Sequence, residues 1–260
     1  MEITFLGTKS VSVYEANSLG ILIRAKDTSL LLECGPFIPL QLTQNNFKIE
    51  SIDSIFVSHD HSDHGGGLPY FLFTNLMYRF LGLVPGSANL KLIMPNYENS
   101  YLFKYCKKTY PLIFTTNDFL TVQVIGSEST SEINLSKTFS VKTFAVNHTI
   151  ENWGISCTVE GKKISYLPDT EFNESFCGPI LNSEILICSV LGPKNRKDMS
   201  TKLKFMTAND AAKLAHLSNS KKLILLHIFY EEDVERCIEE ARVEFNGDII
   251  IPLSGRKIFL

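Results

Sequence analysis

Much is missing from this chain of 260 residues. No apolar run approaches the roughly 20 residues that a membrane helix needs. The opening MEITFLGTKS has no basic stretch followed by a long apolar one, so no signal peptide is expected. The six cysteines (Cys34, Cys106, Cys157, Cys177, Cys188, Cys237) are scattered without C-x-x-C spacing, which reads as reduced core residues rather than a disulfide framework. A cytoplasmic setting is the expectation. Low-complexity segments and long linkers are also absent. Neither sign of charge dominates, with 25 Lys+Arg against 28 Asp+Glu and a net charge of −3. No global positive field favours polyanions, so a nucleic-acid role would need a local patch. At 44% hydrophobic and 20% charged, the composition is that of an ordinary globular chain with enough length for a sizeable core.

Against this plain background six histidines stand out, because three of them fall within six residues. The first stretch around them reads as β, with strands at 2–6, 18–24, 29–33 and 54–57. Leu30-Leu31-Leu32 and Ile55-Phe56-Val57 are short continuous apolar runs, as expected of strands covered on both faces. A helix over 68–81, a strand at 90–94 and a helix near 98–107 follow. Further strands are predicted at 114–119, 120–125, 139–146, 155–159, 164–167 and 185–190. The last third alternates a helix at 207–217, a strand at 223–227, a helix at 231–245 and strands at 249–252 and 257–260. One domain spanning 1–260 is expected.

A weak internal echo is visible. Residues 20–34 and 154–169 both read as strand–turn–strand units, and each half holds an apolar strand ending in histidine, at His59 and at His227. Two α/β halves facing each other would bring both strand ends to one edge.

The chemistry concentrates in Val57-Ser58-His59-Asp60-His61-Ser62-Asp63-His64-Gly65-Gly66-Gly67. Four potential ligands follow a buried strand, and a glycine run allows a tight turn into a helix. Imidazole and carboxylate suit Zn²⁺, with Mn²⁺ or Fe²⁺ possible. One tetrahedral ion cannot use all four from so short a loop while adding distant ligands, so the loop favours two adjacent ions.

His59-x-His61-x-Asp63-His64 resembles the H-x-H-x-D-H signature of the metallo-β-lactamase superfamily. The opening strand Ile3-Thr4-Phe5-Leu6-Gly7-Thr8 and the order of elements are similar to its ribonuclease Z-like branch. The resemblance covers essentially the whole chain. It implies an α/β fold, a four-layer αβ/βα sandwich, with a dinuclear site of two Zn²⁺ (or Mn²⁺) per chain. It also implies that His59, His61 and His148 hold one ion, that Asp63, His64 and His227 hold the other, and that Asp169 bridges them. Asp63 is then a catalytic residue as well as a ligand, orienting a bridging hydroxide for in-line attack on a phosphodiester. Asp60 is expected in hydrogen bonds behind the ligands or in solvent, and His216 in solvent on its helix.

Ribonuclease Z proteins carry an extended tRNA-binding arm between the counterparts of His148 and Asp169, and here only 21 residues separate the two. They also place a His where Lys204-Phe205-Met206-Thr207 puts Phe205. Both departures speak against tRNA 3′ processing. Shorter relatives include cyclic-nucleotide phosphodiesterases of the anti-Pycsar kind, so a small nucleotide substrate is expected and RNA is the less favoured partner. A tRNA endonuclease, a lactonase or thioesterase, and an accessory protein of cofactor biosynthesis stay open. Phe37, Tyr70, Phe71, Phe73 and Trp153 are candidates to stack on a base, with core packing as the alternative for each. Lys194, Arg196, Lys197, Lys202 and Lys204 make a basic segment that either attracts phosphate or is merely solvated. It is poor in apolar anchors, so it is expected to be mobile or to complete its structure across a homodimer.

Overall fold

The computed structural model describes residues 1–10, 18–83, 89–95, 100–115, 119–125 and 132–260. The chain forms two compact units, Met1–Glu128 with Ser254–Leu260, and Ser129–Leu253.

The first unit holds β1 (Glu2–Gly7), β2 (Gly20–Arg24), β3 (Ser29–Leu32), β4 (Ser54–Phe56), β5 (Leu90–Pro95), β6 (Leu120–Ile125) and, from the C-terminal segment, β15 (Lys257–Phe259). They form one sheet in the order β15-β1-β2-β3-β4-β5-β6. Pairing is antiparallel from β15 to β3 and parallel from β3 to β6. Its helices are α1 (Ile38–Gln44), α2 (Ser62–Gly65), α3 (Leu68–Phe80), α4 (Tyr101–Thr109) and α5 (Pro111–Thr115). Alternate strand residues Leu6, Leu22, Leu31, Ile55 and Leu92 share a core with Ile38, Leu42, Leu68, Phe71, Leu76, Phe103 and Cys106 from the helices. The intervening Ile3, Phe5, Ile21, Ile23, Phe56 and Ile93 are fully buried too. Burial on both faces is why these strands read as unbroken apolar runs rather than alternating ones.

The second unit begins with β7 (Ile133–Asn134), β8 (Phe139–Val146), β9 (Asn152–Val159), β10 (Lys162–Leu167) and β11 (Ile185–Gly192). It continues with β12 (Met206–Thr207), β13 (Lys222–Leu226) and β14 (Asp248–Ile250). The sheet order is β14-β13-β11-β10-β9-β8-β7, with β12 on β11. Its helices are α6 (Cys177–Ile180), α7 (Lys197–Leu203), α8 (Ala208–Leu217) and α9 (Val234–Glu244). Ala208, Ala211, Ala212 and Ala215 line the buried side of α8, packing with Cys237 and Ala241 of α9 and with Leu186, Cys188, Leu223 and Leu225 of the sheet. β9 and β10 are joined by Glu160 and Gly161 alone, both at positive φ (50° and 81°), a two-residue hairpin turn.

The internal echo holds within each unit: an antiparallel hairpin (β2–β3, β9–β10) is followed by a parallel strand (β4, β11). Three expectations need correction. Phe114 and Thr115 end α5 instead of starting a strand, because Pro111 at a helix start favours a short turn of helix; 116–118 lie outside the described residues. α4 starts at Tyr101, where Ser100 caps it by accepting from Phe103 N (3.0 Å); Glu98 and Asn99 lie outside the described residues. The basic segment is no loose loop. It folds into α7, and three of its five cations bond within the chain: Arg196 to Asp233 (2.9 Å), Lys197 to Asp210 (2.7 Å) and Lys204 to Asn147 (3.0 Å).

Candidate metal centre

In the first unit the ligand loop leaves the end of β4 and is held from below by Glu33. This residue follows β3 with a left-handed backbone (φ 62°), unfavourable for a residue with a Cβ and a sign of local over-determination. Its carboxylate is fully buried. Glu33 Oε2 accepts the Ser58 N–H (3.1 Å), and Oε1 lies 3.2 Å from His64 Nδ1. A carboxylate facing Nδ1 favours the tautomer protonated there and leaves Nε2 as the electron-pair donor. Ser58 Oγ lies 2.9 Å from His59 Nδ1 and holds that ring, but a hydroxyl gives or accepts equally well and does not choose its tautomer. His59 Nε2 and His61 Nδ1 then converge to 2.9 Å.

α2 is a single turn. His64 N and Gly65 N both donate to His61 O (3.1 Å), so Asp63 and His64 follow His61 without a loop between. Asp63 Oδ2 accepts from Ser10 Oγ (3.2 Å) and lies 4.0 Å from His64 Nε2. The loop is clasped to the end of β3 by Cys34 N to His64 O (2.7 Å) and Gly67 N to Cys34 O (2.8 Å). That closeness explains the glycines. Gly66 and Gly67 have ordinary φ (−62° and −85°), so a tight left-handed turn is not their purpose. A Cβ on Gly67 would come within 2.3 Å of Gly35 O, and one on Gly35 within 2.3 Å of Asp63 O. Space is what they supply.

Asp60, between two of these histidines, faces elsewhere. Its carboxylate accepts Ser100 Oγ and Tyr101 N (both 2.7 Å) and so anchors the start of α4. Cys34 beside Glu33 is no ligand candidate: burial pushes its thiol well above its usual range, with smaller upward contributions from Cys106 and Glu33.

In the second unit His148, Asp169 and His227 come together from the ends of three strands. His148 Nε2 is 3.8 Å from Asp169 Oδ2, and His227 Nε2 is 3.5 Å from Asp169 Oδ1. All three side chains are buried. His148 Nδ1 lies 3.1 Å from Lys204 O; a carbonyl only accepts, so the proton sits on Nδ1 and Nε2 faces Asp169. His227 has a positive φ of 70° immediately after β13, a second strained non-glycine position among the site candidates. The strand ends carrying His148 and Asp169 are laced together. Asn147 N donates to Thr170 Oγ1 (3.0 Å), Glu171 N donates to Asn147 O (3.0 Å), and Asn152 Nδ2 donates to Asp169 O (2.6 Å). Phe205 is packed against both histidines. Its ring centroid is 5.2 Å from that of His148, edge-on, and 5.3 Å from that of His227, stacked.

Each unit thus presents imidazole and carboxylate atoms, and the outer nitrogens of His59, His64 and His148 face Ser58 Oγ, Glu33 and Lys204 O. This is the donor chemistry of a divalent-cation site with its supporting bonds in place. A family model described as Anti-Pycsar protein Apyc1 matches residues 1–191. The chain belongs to that family. It is also 26% identical to a ribonuclease Z of Prochlorococcus marinus (strain MIT 9515), covering 97% of this chain and 96% of that protein. That alignment runs over 304 residues, so about fifty positions of the relative face no residue here. Among solved structures, the metallo-β-lactamase fold protein YhfI of Bacillus subtilis superposes with a TM-score of 0.85 at 20% identity, covering 99% of this chain and 98% of that one. Human tRNase Z, short form, gives a TM-score of 0.79 at 21% identity, covering 100% and 99%. The family member is therefore a metal-dependent hydrolase with the metallo-β-lactamase fold, in the ribonuclease Z-like and Apyc1 branch.

Of the other expectations, His216 is exposed on α8 and Ser62 is exposed on α2. Phe71 and Trp153 are core residues, Phe37 is half-buried, and Phe73 stacks on Tyr110 at 4.9 Å; Tyr70 is exposed. Glu33, Ser10 and Lys204 O were not anticipated. Only Glu33 left a trace in the sequence, as an acid ending the apolar run Leu30-Leu31-Leu32.

Proposed function

We propose that this protein is a cyclic-nucleotide phosphodiesterase with two divalent cations, zinc or manganese, acting as a single domain over 1–260. In this reading His59, His61 and His148 hold one ion, Asp63, His64 and His227 hold the other, and Asp169 bridges them. When bound, such a pair supplies a nucleophile acidified to near-neutral pH and neutralises charge on the phosphodiester oxygens. The chain's own residues do the rest. Glu33 keeps His64, and Lys204 O keeps His148, in the tautomer that a cation needs, while Ser58 holds the His59 ring in place. Ser10 holds the Asp63 carboxylate, which orients the nucleophile. Phe205 closes the flank of His148 and His227 with an apolar ring that can neither give nor take a proton.

One observation carries the choice of a small substrate over tRNA. The span between His148 and Asp169 is used up by β9 and β10 and a two-residue turn, which leaves no length for a tRNA-binding arm. The family name, Anti-Pycsar protein, supports a cyclic nucleotide in particular. The ribonuclease Z relatives support the rival reading, a tRNA 3′ endonuclease. Metal-loaded protein assayed on 3′,5′-cyclic nucleotides, precursor tRNA, bis-p-nitrophenyl phosphate and a lactone separates the readings. Turnover of cyclic nucleotides is expected. Cleavage of precursor tRNA alone would transfer the assignment, and activity on the lactone alone would remove phosphodiesters altogether.

A cytoplasmic homodimer is part of the proposal. The basic segment, folded into α7 with three of its cations bonded within its own chain, no longer argues for it. The outer side of α3 does, since Tyr70, Phe73, Met77 and Phe80 are exposed there in one helical stripe. Full activity of a monomer at micromolar concentration, measured by light scattering alongside assay, would refute the dimer. Among the described residues no helix is long and apolar enough to cross a membrane.

A further inference from the structure

Asp60 sits between His59 and His61, yet it spends both carboxylate oxygens on the start of α4. That bond fixes Tyr101, the first residue of α4, to the ligand loop by its backbone N–H. Consecutive Cα atoms are about 3.8 Å apart, so the two histidines begin one step either side of Tyr101's anchor. The side chain itself is 82% exposed, more than any other large hydrophobic side chain among the described residues. It packs into no core and its exposure costs apolar hydration. Among the described residues its ring meets the Lys104 ammonium, 5.8 Å from the centroid, one helical turn on. Tyr105 and Lys108 repeat the pair along the same exposed side of α4. α3, α4 and α5 include Arg79, Lys104, Lys107 and Lys108 and not one acidic residue, in a chain whose net charge is negative. An aromatic face beside cations, tethered to a phosphodiester-cleaving loop, is the chemistry that receives a nucleobase.

We propose that Tyr101 is the platform on which the base next to the scissile phosphodiester stacks. The inference rests on the phosphodiesterase reading. It adds a substrate-binding residue on the first unit, and it makes turnover depend on the base and not only on the phosphate. The base belongs to a cyclic mononucleotide or to an RNA strand, and the two sources are told apart by testing both.

The experiment is steady-state kinetics of metal-loaded wild type, Tyr101→Ala and Tyr101→Trp. The substrates are a 3′,5′-cyclic nucleotide, a short oligoribonucleotide and the abasic ribose 3′,5′-cyclic phosphate. Loss of one stacked base predicts a KM for Tyr101→Ala raised roughly 5- to 100-fold with kcat unchanged. Tyr101→Trp should restore KM, and the abasic phosphate should not distinguish the variants. The substrate on which KM rises identifies the source of the base. Folding is not at stake, because the bond to Asp60 uses the backbone N–H, which alanine keeps. Equal KM values for wild type and Tyr101→Ala would overturn the inference while leaving the phosphodiesterase reading intact. An equal loss on the abasic phosphate would also overturn it, as a structural effect. If wild type turns over neither nucleotide substrate, both readings fall together.

Discussion

Glu33 Oε1 lies 3.2 Å from His64 Nδ1, with both side chains fully buried. The same carboxylate takes the Ser58 N–H, so one side chain sets the start of the ligand loop and the ring near its end. Replacing an outer carboxylate behind a metal-binding histidine typically costs about 10–100-fold in metal affinity. Glu33→Ala should show a loss of that order in chelator competition. Abandoning the buried Ser58 N–H should cost roughly 1–3 kcal/mol in urea unfolding. Glu33→Gln, which can still accept that N–H, should lose affinity but keep most of the stability. Unchanged metal affinity in both variants would mean that Glu33 is only a structural clasp.

Asp169 is 3.8 Å from His148 and 3.5 Å from His227, one oxygen toward each. On the proposed two-ion reading, Asp169→Ala should lose at least one ion per chain, counted by elemental analysis against wild type, together with hydrolytic activity. Retention of two ions would refute the bridge.

Phe205 fills the space between His148, His227 and Phe229. Phe205→Ala removes a buried ring, and such truncations cost about 3–5 kcal/mol. Urea unfolding should report a loss in that range. A loss under about 1 kcal/mol, the range of exposed sites, would show that the ring is not packed as described.

Five of the six thiols are buried, and Cys177 is partly exposed. Burial pushes Cys106 and Cys237 up to about 12, and raises Cys34, Cys157 and Cys188 further. A thiol-specific reagent at pH 8 should therefore label native protein quickly at Cys177 at most, and all six cysteines after denaturation. The sign for stability follows. An unfolded thiol ionises near 9.0, whereas the folded state resists ionisation until about 12 at Cys106. The contribution is whole below pH 9 and is lost as pH rises toward 12. Urea midpoints should fall over that window, and less steeply in Cys106→Ala; identical slopes would remove the buried thiol as the cause.

The candidate ligand loop was legible because its residues lie within six positions: His59, His61, Asp63 and His64 need only a strand end and one turn of helix to converge. The helices and strands with strong apolar patterns, such as α3, α8 and β13, were legible for the related reason that burial imposes a period on nearby residues. His148, Asp169 and His227 were placed by resemblance to a family, since nothing local in their sequence says that three strand ends meet. α7 was misjudged. Arg196 on Asp233 and Lys197 on Asp210 tie its start to partners 37 and 13 positions further along the chain, which no local pattern announces.

Scattered cysteines are indeed unpaired thiols among the described residues, and no described helix is suited to a membrane. Sequence by itself determined the candidate donor types, the short span between His148 and Asp169 and the apolar identity of Phe205, because all three depend only on which residues are present and how many. Tertiary structure alone decided what stands behind the ligands. Glu33 acts on His64 from 31 positions away, Lys204 O acts on His148 from 56, and Asp60 turns from the ligands to hold Tyr101. Polar contacts act over about 3 Å and take no account of separation along the chain.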